Sequence, residues 1–482
     1  MLYLPHYYYF FYRKMNIQNS QLYQLFNSLS DKEIKEMGKV IISPFFNYRN
    51  EEIRLFEYLK KQRKAEHPNF SVEKVILFVF GKEESLPNLR HVMTYLARII
   101  IRFIAISEME ANRSLQSVLL ISAYRKRGLE KQFLSTYQEA ETFFISEAPL
   151  QAELYFYRLQ LHLEFYNHSV SNRKAANQDL VRLSEDLDTF YIIQKLKQSC
   201  NILSYQNIFN FNHQPKLINE VLEMAQQNIH KENLLLKLLY YNYLCLCKPD
   251  NKSYFFELKK VLLNKYTTRI QQQELRDNYT LAINYCIKKL NTGAKEYYQE
   301  VFEIYQSGLL NQVFEENGIL SPFTYKNIVS IAIGLKEYKW VKAFIESYKH
   351  KLDNEVQTGF YTYCLARYYF GIEDYERVSD LLREVEIKEQ FTDLDARVLL
   401  AKTYFELDEI NLLDYCINNL KQQLKRKKLQ TYHAAVYGNF VKMLSKIVHL
   451  RPYDKKARQA LREKILDTKV IAEKDWLLLK FL

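Results

Sequence analysis

The sequence predicts an all-α chain, a solenoid of stacked helical hairpins behind a helical N-terminal domain that does not repeat. Three observations carry that expectation. A helix-turn-helix phrase is written three times, as Ile333-Gly334-Leu335-Lys336-Glu337-Tyr338, Phe370-Gly371-Ile372-Glu373-Asp374-Tyr375 and Phe405-Glu406-Leu407-Asp408-Glu409-Ile410. Its equivalent positions Leu335, Ile372 and Leu407 stand 37 and 35 residues apart, a period that marks stacked helix pairs. Glycine is scarce, at 10 residues, where ordinary usage would give roughly 34. Doubly wound nucleotide-binding folds spend glycine on phosphate loops and tight turns, so its scarcity argues against that class. The nine prolines separate long segments without strand-like alternation, which leaves helix as the remaining element.

The elements follow in order. Residues 1–14 hold the aromatic run Tyr7-Tyr8-Tyr9-Phe10-Phe11-Tyr12 with Arg13-Lys14 after it. A secretory leader has the opposite charge order, so this stretch is expected to be a non-structural extension, with Met15 as the functional start. Residues 15–110 form the non-repeat domain. Ser30-Asp31-Lys32-Glu33 is a capping box that opens a helix with Ile34, Met37, Val40 and Ile41 on its apolar face. Ser43-Pro44-Phe45-Phe46-Asn47 ends it, Glu51 to Lys61 makes the next, and Ser71 opens a third that Gly81 stops. Asn88 is expected to cap a long apolar helix reaching about Met109.

Residues 111–482 then read as one continuous array of helix pairs. Arg113 to Arg127 and Leu129 to Phe144 flank Gly128. Gln151 to Tyr166, Asn172 to Leu187, Phe190 to Phe209, Pro215 to Ile229 and Asn233 to Cys247 follow, with further helices near Ser253, Gln271 and Ala294. Tyr and Phe within these segments sit at helical spacing with aliphatics, as in Leu154, Tyr155, Leu159, Leu163 and Tyr166, which predicts core packing before base stacking.

Residues 323–420 resemble tetratricopeptide (TPR) repeats. Ala366-x2-Tyr369 with Val378, Leu382 and Val385, and Ala401-x2-Tyr404 with Leu413, Ile417 and Leu420, occupy the small, aromatic and apolar positions of that consensus. Val341, Val378 and Leu413 stand where its second helix has alanine, and the trailing proline is missing, so the superhelix is expected to be irregular. The N-terminal portion around Ser43-Pro44-Phe45-Phe46-Asn47 resembles uncharacterised bacterial helical-repeat proteins, which carries no function across. The TPR resemblance implies a concave face formed by the first helices, with Lys326, Ser330, Tyr363, Arg367, Lys402 and Phe405 on it. Lys326, Tyr363, Arg367, Lys402 and Phe405 are the candidate partner-binding residues. The paired Lys and Asn pattern that clamps a C-terminal carboxylate in some TPR domains is absent.

Charge is the second signal. Residues 421–482 hold 16 Lys+Arg against 5 Asp+Glu, a net of +11 out of the chain's +12. Lys421, Lys425, Arg426, Lys427, Lys428, Lys455, Arg458 and Arg462 are the candidate polyanion-binding residues, since a concentrated field of one sign attracts polyanions. The bland counterpart is a solvated terminal cap that keeps a repeat array soluble.

Chemistry-bearing motifs are few. Cys245-x-Cys247 has no second pair, His162 lies near Glu164 and His168 without metalloprotease spacing, and phosphate-loop, nucleophile-elbow and kinase signatures are absent. Glu315-Glu316, Asp393 and Asp395 read as helix-start charges. No catalytic, metal or cofactor site and no small-molecule substrate is expected. Six scattered cysteines suit reduced thiols in the cytoplasm, and no apolar window approaches a membrane span of roughly 18 residues. The sequence thus points to a non-enzymatic protein-interaction scaffold. Its alternative is a nucleic-acid-associated protein using the basic C-terminal region, and an enzyme on a helical scaffold is the third class considered.

Overall fold

The structure is a computed structural model that describes residues 16–146, 148, 150–171, 177–209, 212–228, 233–426, 431–450 and 453–481. The N-terminal extension read from residues 1–14 therefore lies outside the described residues, as do Lys427 and Lys428. The described chain is all-α apart from short 3-10 turns and one small hairpin. Two compact units are present, residues 1–148 with 153–187, and residues 149–152 with 188–482.

The first unit begins with α1 (Gln21–Ser28), α2 (Asp31–Ile41), α3 (Asn50–Arg63), α4 (Val72–Phe80) and α5 (Leu86–Ala111). Ser30 caps α2, its hydroxyl accepting from the Glu33 amide while the Glu33 carboxylate accepts from the Ser30 amide. That reciprocal pair satisfies two of the four orphan donors at a helix start. The start of α5 differs from the sequence expectation. Ser85 is the cap, its hydroxyl accepting from the Asn88 amide, and Pro87 sits in the first turn where a missing N–H costs nothing. Asn88 was read as the cap because it immediately precedes the apolar run. Leu89, Leu96 and Ile100 of α5 are fully buried among Phe26, Met37, Leu55, Phe56 and Val79. The unit continues with α6 (Arg113–Lys126) and α7 (Glu130–Ser146), joined at Gly128 in the left-handed region.

Next come α8 (Ala152–Ser171), α9 (Asn177–Phe209), α10 (Ile218–Asn228), α11 (Leu234–Cys247), α12 (Lys252–Leu262), α13 (Gln272–Asn291) and α14 (Tyr297–Leu310). The segments predicted at 172–187 and 190–209 run, from Asn177 onward, as the single helix α9, and residues 172–176 lie outside the described residues. Asp188-Thr189 lowers helix propensity by only a few tenths of a kcal/mol, and neither Gly nor Pro interrupts the run. On α8, Leu154, Tyr155 and Leu161 are buried, but Leu163 is exposed, contrary to the core expectation.

A hairpin follows, β1 (Glu315–Glu316) against β2 (Ile319–Leu320). Glu315 and Glu316 are thus strand residues instead of helix-start charges. Asn317-Gly318 makes the turn with both residues at positive φ, the geometry that two-residue hairpins require. The rest of the second unit is α15 (Pro322–Gly334), α16 (Tyr338–Tyr348), α17 (Gln357–Gly371), α18 (Tyr375–Arg383), α19 (Gln390–Glu406), α20 (Ile410–Arg426), α21 (Thr431–Val448), α22 (Lys455–Asp467) and α23 (Lys474–Leu479). From α15 to α21, each helix packs on the next, and first helices also pack on first helices, α15 on α17 and α17 on α19.

The thrice-written phrase is one backbone motif. At each copy the amide bonds the carbonyl five residues back: the Glu337 amide donates to the Ala332 carbonyl, Asp374 to Tyr369 and Glu409 to Tyr404. The residue between, Lys336, Glu373 or Asp408, has φ of 62°, 65° or 56°. This is the Schellman turn, which normally places glycine at the left-handed position. Here the glycines stand two residues earlier and serve close approach. A Cβ on Gly334 would lie 2.5 Å from the Tyr298 ring, and one on Gly371 2.9 Å from the Tyr338 ring. The third copy has Glu406 at that position, and its carboxylate accepts from the Trp476 indole. Since a left-handed non-glycine costs about 1–2 kcal/mol and glycine's extra chain entropy about half that, Glu373→Gly is expected to raise stability by about 0.5–1 kcal/mol. A urea titration checks it, and a loss of stability would mean the exposed Glu373 side chain contributes a contact.

Candidate functional site

The first helices α15, α17 and α19 present corresponding residues to one side. Under the 37- and 35-residue offsets, Phe323, Phe360 and Asp395 are equivalent, as are Lys326, Tyr363 and Val398, then Ser330, Arg367 and Lys402, then Ile333, Phe370 and Phe405. A cavity of about 80 Å³ gathers these rows, lined among others by Ile333, Tyr363, Arg367, Phe370, Asp395 and Lys402, with Glu473 closing it. Three of the five sequence-predicted partner residues line this cavity, and a fourth, Lys326, reaches it through Asp395.

The charges form a closed set. The Lys326 ammonium donates to Asp395 Oδ2 at 3.0 Å, and the Tyr437 hydroxyl donates to Asp395 Oδ1 at 2.8 Å. Arg367 Nη1 donates to Ser330 Oγ at 2.7 Å, joining equivalent positions of two successive helices. Lys402, only 6% exposed, donates to Glu473 Oε2 at 2.7 Å. Its ammonium also lies 4.4 Å from the Phe370 ring centre and 5.3 Å from that of Trp476. Three cations thus share two carboxylates. Burial holds the Lys402 ammonium below its ordinary pKa and Arg367 repels it further, against the attraction of Glu473. Burial pushes the Glu473 carboxyl up, but Lys402 and Arg367 outweigh that and hold it below the usual carboxylate range. Burial raises the Tyr363 hydroxyl. Lys326, Arg367, Lys402, Asp395 and Glu473 each have a hydrogen-bond partner in this set.

Phe405, the fifth candidate, packs edge-on against Trp476 at 5.4 Å between centroids. Sequence reasoning missed Asp395, Tyr437, Glu473 and Trp476. Asp395 carried a signal, as an acid in a register position that is Phe in the two preceding copies. Glu473 carried none: it lies 71 residues beyond Lys402, in the left-handed region with φ 52°. Such strain persists only where surrounding contacts hold it. Asp393 does occupy the first turn of α19, whereas Asp395 is the acceptor just described.

The basic candidates divide. Lys421, Lys425 and Arg426 are exposed on the last turns of α20. Lys421 and Lys425 line a groove of about 410 Å³, which Lys442 and Lys446 of α21 complete. Lys455, Arg458 and Arg462 ride on α22 and are not part of that lining, and Arg458 lies over the Phe481 ring at 5.7 Å.

Elsewhere, His162 is buried against Asp186 with Glu141 3.8 Å from its Nε2, and Arg158 and Arg182 pair with the same two carboxylates. This is an internal ion network. Among the described residues no group of three His, Cys, Asp or Glu side chains could hold a metal ion. The six cysteines are unpaired, five of them buried and Cys247 exposed. No helix among the described residues is long and apolar enough to cross a membrane. Comparison of the chain with family models, with curated proteins and with solved structures finds no match.

Proposed function

We propose that the chain is a non-catalytic, cytoplasmic protein-interaction scaffold, its second unit a TPR-like solenoid whose first helices supply a recognition face. The observation that carries this reading is the register: positions separated by the repeat offset on α15, α17 and α19 line one cavity, and Arg367 bonds Ser330 across two copies. A face that repeats in register offers a peptide successive subsites, here an apolar row of Ile333, Phe370 and Phe405 beside a polar row of Ser330, Arg367 and Lys402. The buried, unpaired thiols fit a reducing compartment. Lys402 and Phe405 are occupied internally by Glu473 and Trp476, so the accessible part of the face is the α15 end, where Phe323 is 48% exposed.

Capture with the intact chain, followed by mass spectrometry, tests the proposal against a Phe323→Asp variant. A protein held in stoichiometric amount by the parent and lost by the variant, with the circular dichroism of the two alike, is the expected result. Partners retained equally by both would remove this face as the interaction surface.

A further inference from the structure

The lysine groove between α20 and α21 has no role in the charge set around Arg367 and Lys402. Its rims are Lys421 and Lys425 on one helix and Lys442 and Lys446 on the other, each pair spaced i, i+4 and hence one turn apart on a single face. All four are exposed, and none has a carboxylate within ion-pairing distance among the described residues. The sequence explains why: from Tyr415 to Tyr453 there is no Asp or Glu at all. Repulsion from Lys464, then partial burial and Lys442, holds the Lys446 ammonium below its ordinary pKa. Like charges at i, i+4 cost a few tenths of a kcal/mol per pair, with no opposing internal partner here.

Between the rims the floor is apolar, formed by Leu424 and the buried Val441, and it is open at Gly438. A Cβ built on Gly438 meets no heavy atom within 4 Å. Glycine inside a helix costs about 1 kcal/mol relative to alanine, and at Gly334 and Gly371 a neighbouring ring accounts for it. At Gly438 no packing does. The missing side chain leaves the groove floor open at this point.

We infer that the α20–α21 groove is a docking site for an acidic amphipathic peptide segment of a partner protein, which seats an apolar side chain over Gly438 and sets its carboxylates against the four lysines. The charge is complementary and the floor decides the class. No aromatic side chain lines the groove, so there is no platform on which a nucleic-acid base would stack, and sugar-phosphate leaves an apolar floor unfilled. A helix-in-groove ligand uses both features, an apolar anchor and a charged rim. This assignment rests on reading the chain as an interaction scaffold, but at a different surface from the Phe323 face.

The test uses the full chain and a short labelled peptide with leucines at i and i+4 flanked by glutamates, titrated by fluorescence anisotropy. Comparison ligands are the same peptide with the leucines changed to glutamine, a single-stranded RNA oligomer, and vesicles containing phosphatidylserine. Gly438→Leu places its Cβ in open space, extends an apolar side chain over the floor and improves helix propensity, so it is expected to fold as the parent does while weakening the leucine peptide about tenfold or more. Should that variant fail to fold, Lys442→Glu with Lys446→Glu, both on exposed positions, is expected to give a loss at least as large. The glutamine peptide should bind about tenfold more weakly than the leucine peptide. Equal binding of the leucine peptide by parent and variants would overturn the inference, as would preference for RNA or for vesicles. Because the Phe323→Asp capture reads another surface, loss of the groove assignment with that capture intact would strike the groove alone.

Discussion

Ala401→Phe is expected to destabilise the second unit by about 1–3 kcal/mol, the usual cost of forcing a large side chain into a filled core. Ala401 is fully buried on α19, in one cluster with Leu394, Val398, Leu413 and Ile417, and its register equivalent Ala366 on α17 is fully buried too. Leu413, also without exposure, lies in the same buried cluster as Ala401, where a smaller side chain would leave room. A small residue there, the usual compensation, is therefore missing. Only two tryptophans occur in the chain, Trp340 and Trp476. Both lie in the second unit, so urea unfolding followed by tryptophan fluorescence reads that unit without the first. The midpoint should fall with the denaturant slope unchanged. A midpoint equal to that of the parent would mean that position 401 has room to relax, and that Ala366 and Ala401 are not the close-contact positions of a repeat.

Helix positions were legible because burial imposes a 3.6-residue pattern and local chemistry marks many ends. Ser30 and Gly81 are read directly as helix ends, and the structure uses each so. Ser85 was passed over for Asn88 because both precede the same apolar run, and only the bond from the Asn88 amide to the Ser85 hydroxyl distinguishes them. The hairpin at 315–320 was missed although Asn317-Gly318 is a strong turn signal, since two-residue strands leave no alternation to find. At the repeated turn glycine is present in two of the three copies, at Gly334 and Gly371, but not at the left-handed position. The left-handed residues are in fact Lys336, Glu373 and Asp408, which sequence gave no reason to suspect.

The cavity between the first helices was legible in part for the same reason. Periodicity places Lys326, Tyr363, Arg367 and Lys402 in equivalent rows, but a repeat says nothing about a partner that arrives from outside it. Glu473 and Trp476 belong to the last short helix, and they determine that Lys402 and Phe405 face their own chain. In the basic end, likewise, the consecutive run at Lys425-Arg426-Lys427-Lys428 drew attention as a sequence feature. The geometry instead pairs Lys421 and Lys425 with Lys442 and Lys446, which lie on another helix.

Glu473→Gln should be the most informative single change at the Arg367–Lys402 cavity. Removing one partner of a buried ion pair costs about 3–5 kcal/mol when both charges are fully buried. Lys402 is buried but the Glu473 side chain is 39% exposed, so solvent screens part of the loss and about 1–3 kcal/mol is the expected figure. The pH dependence has a definite sign. The folded-state carboxyl is held below its ordinary value of 4.5, so its contribution is complete above that pH and is lost as pH falls through the folded-state value. The parent should therefore lose tryptophan-monitored stability on acidification below about pH 4.5 to a degree the variant does not, leaving the two closer in acid than at neutrality. Adding Lys402→Met to Glu473→Gln should then restore most of the neutral-pH loss. Methionine keeps the apolar contact that the lysine stem makes with Phe370 and Trp476 while removing the stranded charge. A double variant as unstable as the sum of the two single losses would show that the pair is not coupled, and that Glu473 closes the cavity through its backbone alone. Recovery in the double variant would instead assign the strain of the left-handed Glu473 to a charge contact, which ties the end of the chain to the repeat register alongside the Trp476 bond to Glu406.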